Sequence, residues 1–307
     1  MAHIALVSAD AALALDEDMP PLVEAFCRLG VQVATPSWDA RDVDWSRFDL
    51  ALLRSTWDYV ERIDEFLAWA DACGRRTRLF NPAAVVAWNT DKHYLAGLHA
   101  AGVAVVPTRF VEPGAEAKAS LQAFLAGVTG SLTAGTPCEF DQYVVKPTVG
   151  AGSRDAARYR CGEDDGRALA HLRRLVEVER RSAMLQPYLA SVDTEGETAL
   201  MYLGGAASHA IRKGPLLRLD DGLVAGLFAP EDIRLRVPGD DERALADATL
   251  AALPFESPLY ARVDMVRDAS GAPVLLELEL TEPSLFLSHA PGSAERLAQA
   301  VLSRLRT

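Results

Sequence analysis

Four short apolar runs divide the first eighty residues, and the stretches between them hold helices. The runs cover residues 3–8, 31–36, 48–54 and 78–80. Pro20 and Pro21 open one helix, which Gly30 stops, and a second spans residues 62–73. Strands alternating with helices restrict a chain to a parallel α/β layer. Such layers bind ligands beyond the carboxyl ends of their strands. The segment Arg54-Ser55-Thr56-Trp57-Asp58-Tyr59 falls at such an end.

The pattern then changes. Residues 90–101 read as a helix stopped by Gly102, with Asp91 and Lys92 at its start, and 103–111 as a strand. Residues 128–137 are rich in Gly, Ser and Thr and read as a loop. A strand at 143–146 runs into a small-residue loop at 148–155, and 164–179 is a helix. Residues 183–189 form a strand carrying Pro187, which predicts an edge or a connector. Beyond Glu197 the strands 198–204, 208–212, 259–266 and 274–280 dominate, closed by helices at 241–252 and 293–306. The last two strands flank Asp268-Ala269-Ser270-Gly271, a hairpin-type turn. The expected organisation is an N-terminal α/β domain (1–89), a central lobe (90–189) and a C-terminal lobe (190–307).

Half of the 307 residues are hydrophobic, which supplies a sizeable core and excludes whole-chain disorder. With 43 acidic against 31 basic residues the net charge is −12, an unfavourable balance for binding nucleic acid or an anionic membrane. No uncharged apolar run approaches the ~20 residues of a membrane span. The N-terminus lacks a basic stretch and is interrupted by Asp10, so it reads as strand and loop rather than a signal peptide. Cys27, Cys73, Cys138 and Cys161 are widely spaced without a Cys-x-x-Cys pair, so a reducing, cytoplasmic setting is expected. His209 and His289 lack spaced partners for zinc, and Ser208-His209 lacks the context of a hydrolase nucleophile.

The strongest chemical signal is the last hairpin. Arg262 and Asp264 share one face of the first strand, and Glu277 and Glu279 one face of the second. Three carboxylates brought together would repel unless a cation sat among them, and hard oxygen ligands suit Mg²⁺ shared with substrate phosphates. The plain alternative is the solvent-facing side of an amphipathic hairpin. A second signal is Lys146-Pro147 before Gly150, Gly152 and Ser153, where loop N–H groups can cradle phosphate. It is neither a Walker A sequence nor a full Gly-x-Gly-x-x-Gly. Arg154 and Arg158 are either further phosphate ligands or simply solvated. Arg54, between an apolar strand and a polar loop, is placed to grip a carboxylate bidentately. A surface ion pair is its alternative.

The order of these parts is more specific than any one of them. It resembles the ATP-grasp superfamily over essentially the whole chain. That resemblance implies a parallel α/β domain followed by two α+β lobes enclosing ATP. Lys92 and Lys146 would then be the phosphate lysines, with Lys213 a further γ-phosphate contact. Gln186, Pro187, Tyr188 and Leu189 would be the adenine hinge, Glu197 a ribose or ordering residue, and Asp264, Glu277 and Glu279 the Mg²⁺ ligands. Glu279 stands where many members carry Asn, and Pro187 where many carry an acidic residue. Five segments are similar to the cyclo-ligase branch of D-cycloserine biosynthesis. They are Ser55-Thr56-Trp57-Asp58-Tyr59, Trp88-Asn89-x-Asp91-Lys92-x-Tyr94-Leu95, Asp193-Thr194-Glu195-Gly196-Glu197-Thr198, Ser208-His209-x-x-x-Lys213-Gly214-Pro215 and Thr281-Glu282-Pro283-Ser284-Leu285-Phe286.

The resemblance implies an ATP-dependent carboxylate ligase whose acyl phosphate is attacked by nitrogen, either within one O-ureido-D-serine-like molecule or from a separate amine. Lys146 and Arg262 would stabilise the transferring charge, and Arg54 would hold the carboxylate substrate. A non-catalytic ATP-binding regulator and a kinase are the competing readings. Substrate specificity would sit around Arg54–Tyr59 and Glu282–Phe286. Oligomeric state is not legible, and a homodimer stays open.

Overall fold

A computed structural model describes residues 2–127, 140–219 and 232–306. The loop expected at 128–137 and Cys138 lie outside the described residues. The N-terminal alternation folds as expected: β1 (His3–Val7), α1 (Met19–Arg28), β2 (Gln32–Ala34), β3 (Leu50–Leu53), α2 (Ile63–Gly74) and β4 (Arg78–Phe80). The strands are parallel in the order β2-β1-β3-β4. All four residues of β3 are buried, which is why it reads as an unbroken apolar run.

Two helices follow, α3 (Ala83–Asn89) and α4 (Tyr94–Ala100), in place of the single helix expected at 90–101. The backbone between them is used otherwise. Lys92 N–H donates to the Thr148 carbonyl (3.0 Å), and Asp91 bridges to Val149. Lys92 is therefore held against the small-residue loop before the second helix begins.

The central lobe comprises β5 (Arg109–Val111), α5 (Ala117–Leu125), β6 (Gln142–Pro147), β7 (Ala157–Arg160), α6 (Asp165–Arg173) and β8 (Ala183–Pro187). Residues 174–178 extend α6 as a π-helical turn. The sheet order is β5-β8-β6-β7. The strand with Pro187 is thus interior, contrary to the edge or connector expected. Pro187 is its last residue, paired with Tyr143 on one side, while β5 ends opposite Leu185 on the other. The missing N–H therefore interrupts no ladder. Of the strand expected at 103–111 only β5 forms, and Val105 makes a single bridge to Leu275.

The C-terminal part holds α7 (Ser191–Thr194), β9 (Glu197–Leu203), β10 (Ala206–Lys213), β11 (Ile233–Arg236), α8 (Asp240–Ala251), β12 (Tyr260–Arg267), β13 (Pro273–Glu279) and α9 (Ser293–Arg306). Its sheet, β11-β10-β9-β12-β13, is antiparallel throughout. The outer edge of β13 is covered. The Asn89 amide donates to Leu278 O (2.8 Å), Leu280 N–H donates back to Asn89 Oδ1 (2.7 Å), and Leu278 N–H donates to the Tyr94 hydroxyl (2.9 Å). These bonds satisfy edge groups that would otherwise be open to another chain.

The first layer and the C-terminal sheet share one core, in which Ile4, Leu6 and Phe26 pack with Met201, Ile211 and Leu297. Asn81 pins them together by bonds to Tyr260 O, Leu280 O and Leu259 N–H. The central lobe has a separate core around Phe124, Tyr143, Val145, Leu172 and Leu185.

Candidate active site

A cleft enclosing about 1530 Å³, part of it open to solvent, runs between the central lobe and the C-terminal sheet. Its acidic floor follows from strand register. Arg262 pairs with Glu279 and Asp264 with Glu277 across β12 and β13. Lys213 lies opposite Glu197 across β10 and β9.

The cations among these carboxylates come from the chain itself. Lys213 Nζ stands 2.9 Å from Glu197 and 2.8 Å from Asp264. Arg262 binds Asp264 through Nε and Nη2 (2.9 Å each), also holds Glu279, and donates to Ser284 O. Lys92 Nζ reaches Glu277 (3.0 Å) and the Gly150 carbonyl (2.9 Å). Burial alone would raise the Asp264 pKa, but Arg262 and Lys213 bring it down to about 2. Glu277 is likewise held low, because Lys92 and Lys146 outweigh its burial. Burial pushes Glu279 up to about 8 despite Arg262. The Lys92 ammonium is buried, and Glu277 beside it more than offsets the desolvation and raises its pKa.

Lys146 lines the same cleft, but among the described residues it has no carboxylate within ion-pair range. Burial lowers its pKa, opposed by the field of Glu277. Gly150, Gly152 and Ser153 form the rim above it. Gly152 (φ +60°) and Ser153 (φ +59°) adopt left-handed conformations, a tight turn that glycine permits most readily.

At the other end Gln186, Pro187, Tyr188 and Leu189 line the wall. Gln186 is buried and donates to Thr108 Oγ1 (2.9 Å), so its side chain supports the wall from behind. Arg158 stacks 3.4 Å from the Tyr188 ring centre and pairs with Asp193 (2.7 Å). Arg154 pairs with Glu61 (2.5 Å).

The expectation for Arg54 is corrected. Its side chain is 1 % exposed and does not line the cleft. Nη2 bonds Asp18 (3.3 Å) and the Pro283 carbonyl (3.1 Å). Asp18 in turn accepts N–H bonds from Leu285 and Leu287. Arg54 therefore ties the first layer to the 283–287 loop and is not placed to hold a substrate.

The chain is 42% identical to the cycloserine biosynthesis protein DcsG of Streptomyces lavendulae over the whole of both sequences. This chain belongs to the DcsG family of ATP-grasp ligases. The N-terminal domain of D-cycloserine synthetase DcsG matches residues 4–81. A crystal structure of D-cycloserine synthetase DcsG superimposes with a TM-score of 0.89 at 41% identity, covering 99% of each chain. A RimK-domain ATP-grasp protein of Sphaerobacter thermophilus shares the fold, with a TM-score of 0.66 at 17% identity over 98% of this chain and all of the other.

The acidic floor of this DcsG-family chain can be tested for Mg²⁺ by its donor set. Among the described residues no three acidic, His or Cys side chains draw together as a self-contained cage. Mg²⁺ seldom requires one, because one or two carboxylates suffice when phosphates and water complete the shell. Asp264 commits both oxygens to Arg262 and Lys213. Glu277 and Glu279 each use Oε1, for Lys92 and Arg262, and keep Oε2 without a hydrogen-bond partner among the described residues. The residues fit a phosphate-bound Mg²⁺ held mainly by this glutamate pair.

Sequence reasoning placed Trp57, Tyr59 and Glu282 within the specificity segments without giving them individual roles, and gave none to Asn89 or Tyr94. Tyr59 and Glu282 both line the cleft, and the nearby tyrosine hydroxyl opposes the rise in the Glu282 pKa. Burial pushes Glu282 up to about 7. Trp57 Nε1 donates to the Glu282 carbonyl (3.0 Å). Asn89 and Tyr94, which fasten β13, stand in the same motif as Lys92. Their signal was a buried polar residue on each side of a lysine.

Proposed function

We propose that this chain is an ATP-dependent carboxylate ligase that closes a ring within one substrate of the O-ureido-D-serine type. A carboxylate oxygen attacks the γ-phosphorus, the bond to the β,γ-bridging oxygen breaks, and ADP leaves. A nitrogen of the same molecule then attacks the acyl carbon, loses its proton and expels phosphate. Such transfers need alignment and charge neutralisation more than covalent help from the protein. Lys146 and Lys92 neutralise the phosphates, Lys213 approaches the γ-phosphoryl, and Arg262 stabilises charge on the transferred oxygens. The wall from Gln186 to Leu189 takes the adenine, and Glu197 the ribose end. Glu277 and Glu279 would hold a Mg²⁺, which would supply neutralisation of the phosphate charge. The loop of Gly150, Gly152 and Ser153 excludes water from an acyl phosphate that would otherwise hydrolyse.

The observation that carries this reading is the convergence of Lys92, Lys146, Lys213 and Arg262 with Glu277 and Glu279 on one cleft, in a chain 42% identical to DcsG. The partner is a small-molecule carboxylate, with no part for nucleic acid. Among the described residues no helix is long and apolar enough to cross a membrane.

ADP release with O-ureido-D-serine, ATP and Mg²⁺, with the product identified by mass spectrometry, tests the reading. A cyclic product without added amine supports it. Dependence on a second amine points to a two-substrate ligase, a stable phosphorylated product to a kinase, and ATP binding without ADP under any substrate to a regulator. Undiminished turnover in both Lys146→Ala and Glu277→Gln overturns the mechanism.

A further inference from the structure

The small-residue loop at the phosphate end of the cleft is gripped from behind by side chains that the mechanism above does not use. Gly150, Ala151, Gly152, Ser153 and Arg154 line the cleft, whereas Asp155, Arg174 and Arg181 do not. Asp155 ends the loop in a left-handed conformation (φ +59°). Its Oδ1 accepts from Arg174 Nη2 and its Oδ2 from Arg181 Nη1, at 2.8 Å each. Arg181 Nη2 also donates to the Val149 carbonyl (3.4 Å), at the opposite end of the same loop. One guanidinium thus joins residue 149 to residue 155.

The backbone sets both arginines. Residues 174–178 form the π-helical turn that extends α6, and Arg180 turns left-handed behind it (φ +56°). Arg181 N–H then donates to the Leu175 carbonyl (2.9 Å), which returns Arg181 to the neighbourhood of Arg174. Glu179 accepts a bond from each of them. Single π-helical turns recur at functional sites, and left-handed non-glycine residues persist where their surroundings over-determine them. Here two such residues, Asp155 and Arg180, serve one cluster.

We propose that Asp155, Arg174 and Arg181 are positioning residues whose clasp fixes the base of the loop, so that its tip is already set over the terminal phosphates of the nucleotide. A loop held only by its chain ends would have to be ordered at each binding event, and that entropy would oppose binding. The proposal rests on the reading above only in that a nucleoside triphosphate occupies the cleft.

The test compares the affinity of the full chain for adenosine and for a non-hydrolysable ATP analogue with Mg²⁺, by displacement calorimetry. Adenosine lacks the phosphates that the loop would cover. Arg181→Lys keeps the charge but loses the planar fork that bonds Val149 and Asp155 together. Asp155→Asn keeps the size and the tolerance of a left-handed backbone. In both variants affinity for the ATP analogue is expected to fall at least ~10-fold with adenosine affinity unchanged, since the loop is misplaced and the adenine wall is not. Amide exchange over residues 149–156 of the nucleotide-free chain is expected to quicken in both. An unchanged ratio of the two affinities overturns the positioning role, including the case in which both fall together as a merely structural defect would make them. Unaltered exchange overturns the claim that the clasp fixes the loop. A wild type that binds neither compound defeats the nucleotide reading itself, before any variant is compared.

Discussion

The Lys92 ammonium lies 3.0 Å from the Glu277 carboxylate, so a residue just before α4 is joined directly to the floor of β13. It also donates to Gly150 O, which makes it the tie between the acidic floor and the small-residue loop above it. A single charge therefore spans the opening in which a triphosphate would lie.

Lys92→Met should lower turnover at least ~100-fold, since an electrostatic contact to transferring charge is lost. It should also cost about 3 kcal/mol of stability by leaving Glu277 unpaired. Adding Glu277→Gln should recover part of the stability and none of the activity. Urea denaturation and ADP release on the wild type, the two single variants and the double variant separate the two effects.

Gly196→Ala should be among the most disruptive small substitutions. Gly196 has φ +76°, and an added methyl would collide with the Lys213 carbonyl and the Arg212 side chain. The strained conformation alone costs on the order of 1–2 kcal/mol. Displacing the Lys213 backbone would separate its ammonium from Glu197 and Asp264. Activity should fall more than thermal stability does, as paired melting and rate measurements would reveal.

Asp18→Ala should destabilise the chain by about 3–5 kcal/mol, because it strands the buried Arg54 guanidinium and two backbone N–H groups of the 285–287 segment. Asp18→Asn, which keeps an acceptor oxygen, should cost less. Equal losses in the two variants would show that charge rather than acceptance holds this loop.

His171 gives the chain an acid sensitivity in its central lobe. Burial, with Arg174 nearby, depresses its pKa to about 4, and its Nδ1 meets the Tyr159 hydroxyl at 2.9 Å. An unfolded histidine titrates near 6.5, so the neutral folded form contributes fully above that pH. The contribution is lost as pH falls from 6.5 toward 4, by about 3 kcal/mol in total. Denaturation curves at pH 7 and pH 5 should differ by less in His171→Phe than in the wild type.

The parts of this molecule legible from the chain were those governed by short-range periodicity. Residue spacing placed Arg262, Asp264, Glu277 and Glu279 on one hairpin face, and the range of α9 follows from its amphipathic stripe. Long-range pairing was not legible. Arg54 looks like a ligand-binding arginine because its partners, Asp18 and Pro283, lie 36 and 229 positions away. Pro187 suggests an edge because nothing local shows that β5 stops two residues short of it. Lys92 reads as helical because the backbone bond to Thr148 that takes it out of the helix comes from 56 positions downstream.

The shared core beneath β1 and β9, pinned by Asn81, joins the first layer to the C-terminal sheet on one side of the cleft. The lobe built on β6 and β8 has its own core but also meets the rest through Met184 and Phe110, which pack with the C-terminal sheet, and near a small valine cluster that includes Val106, Val192, Val266 and Val274. Any widening of the cleft would have to part these contacts, together with the backbone bond from Lys92 to Thr148. It would also have to release the contact of Lys92 with Gly150, so the grip on nucleotide and the width of the cleft draw on the same ammonium.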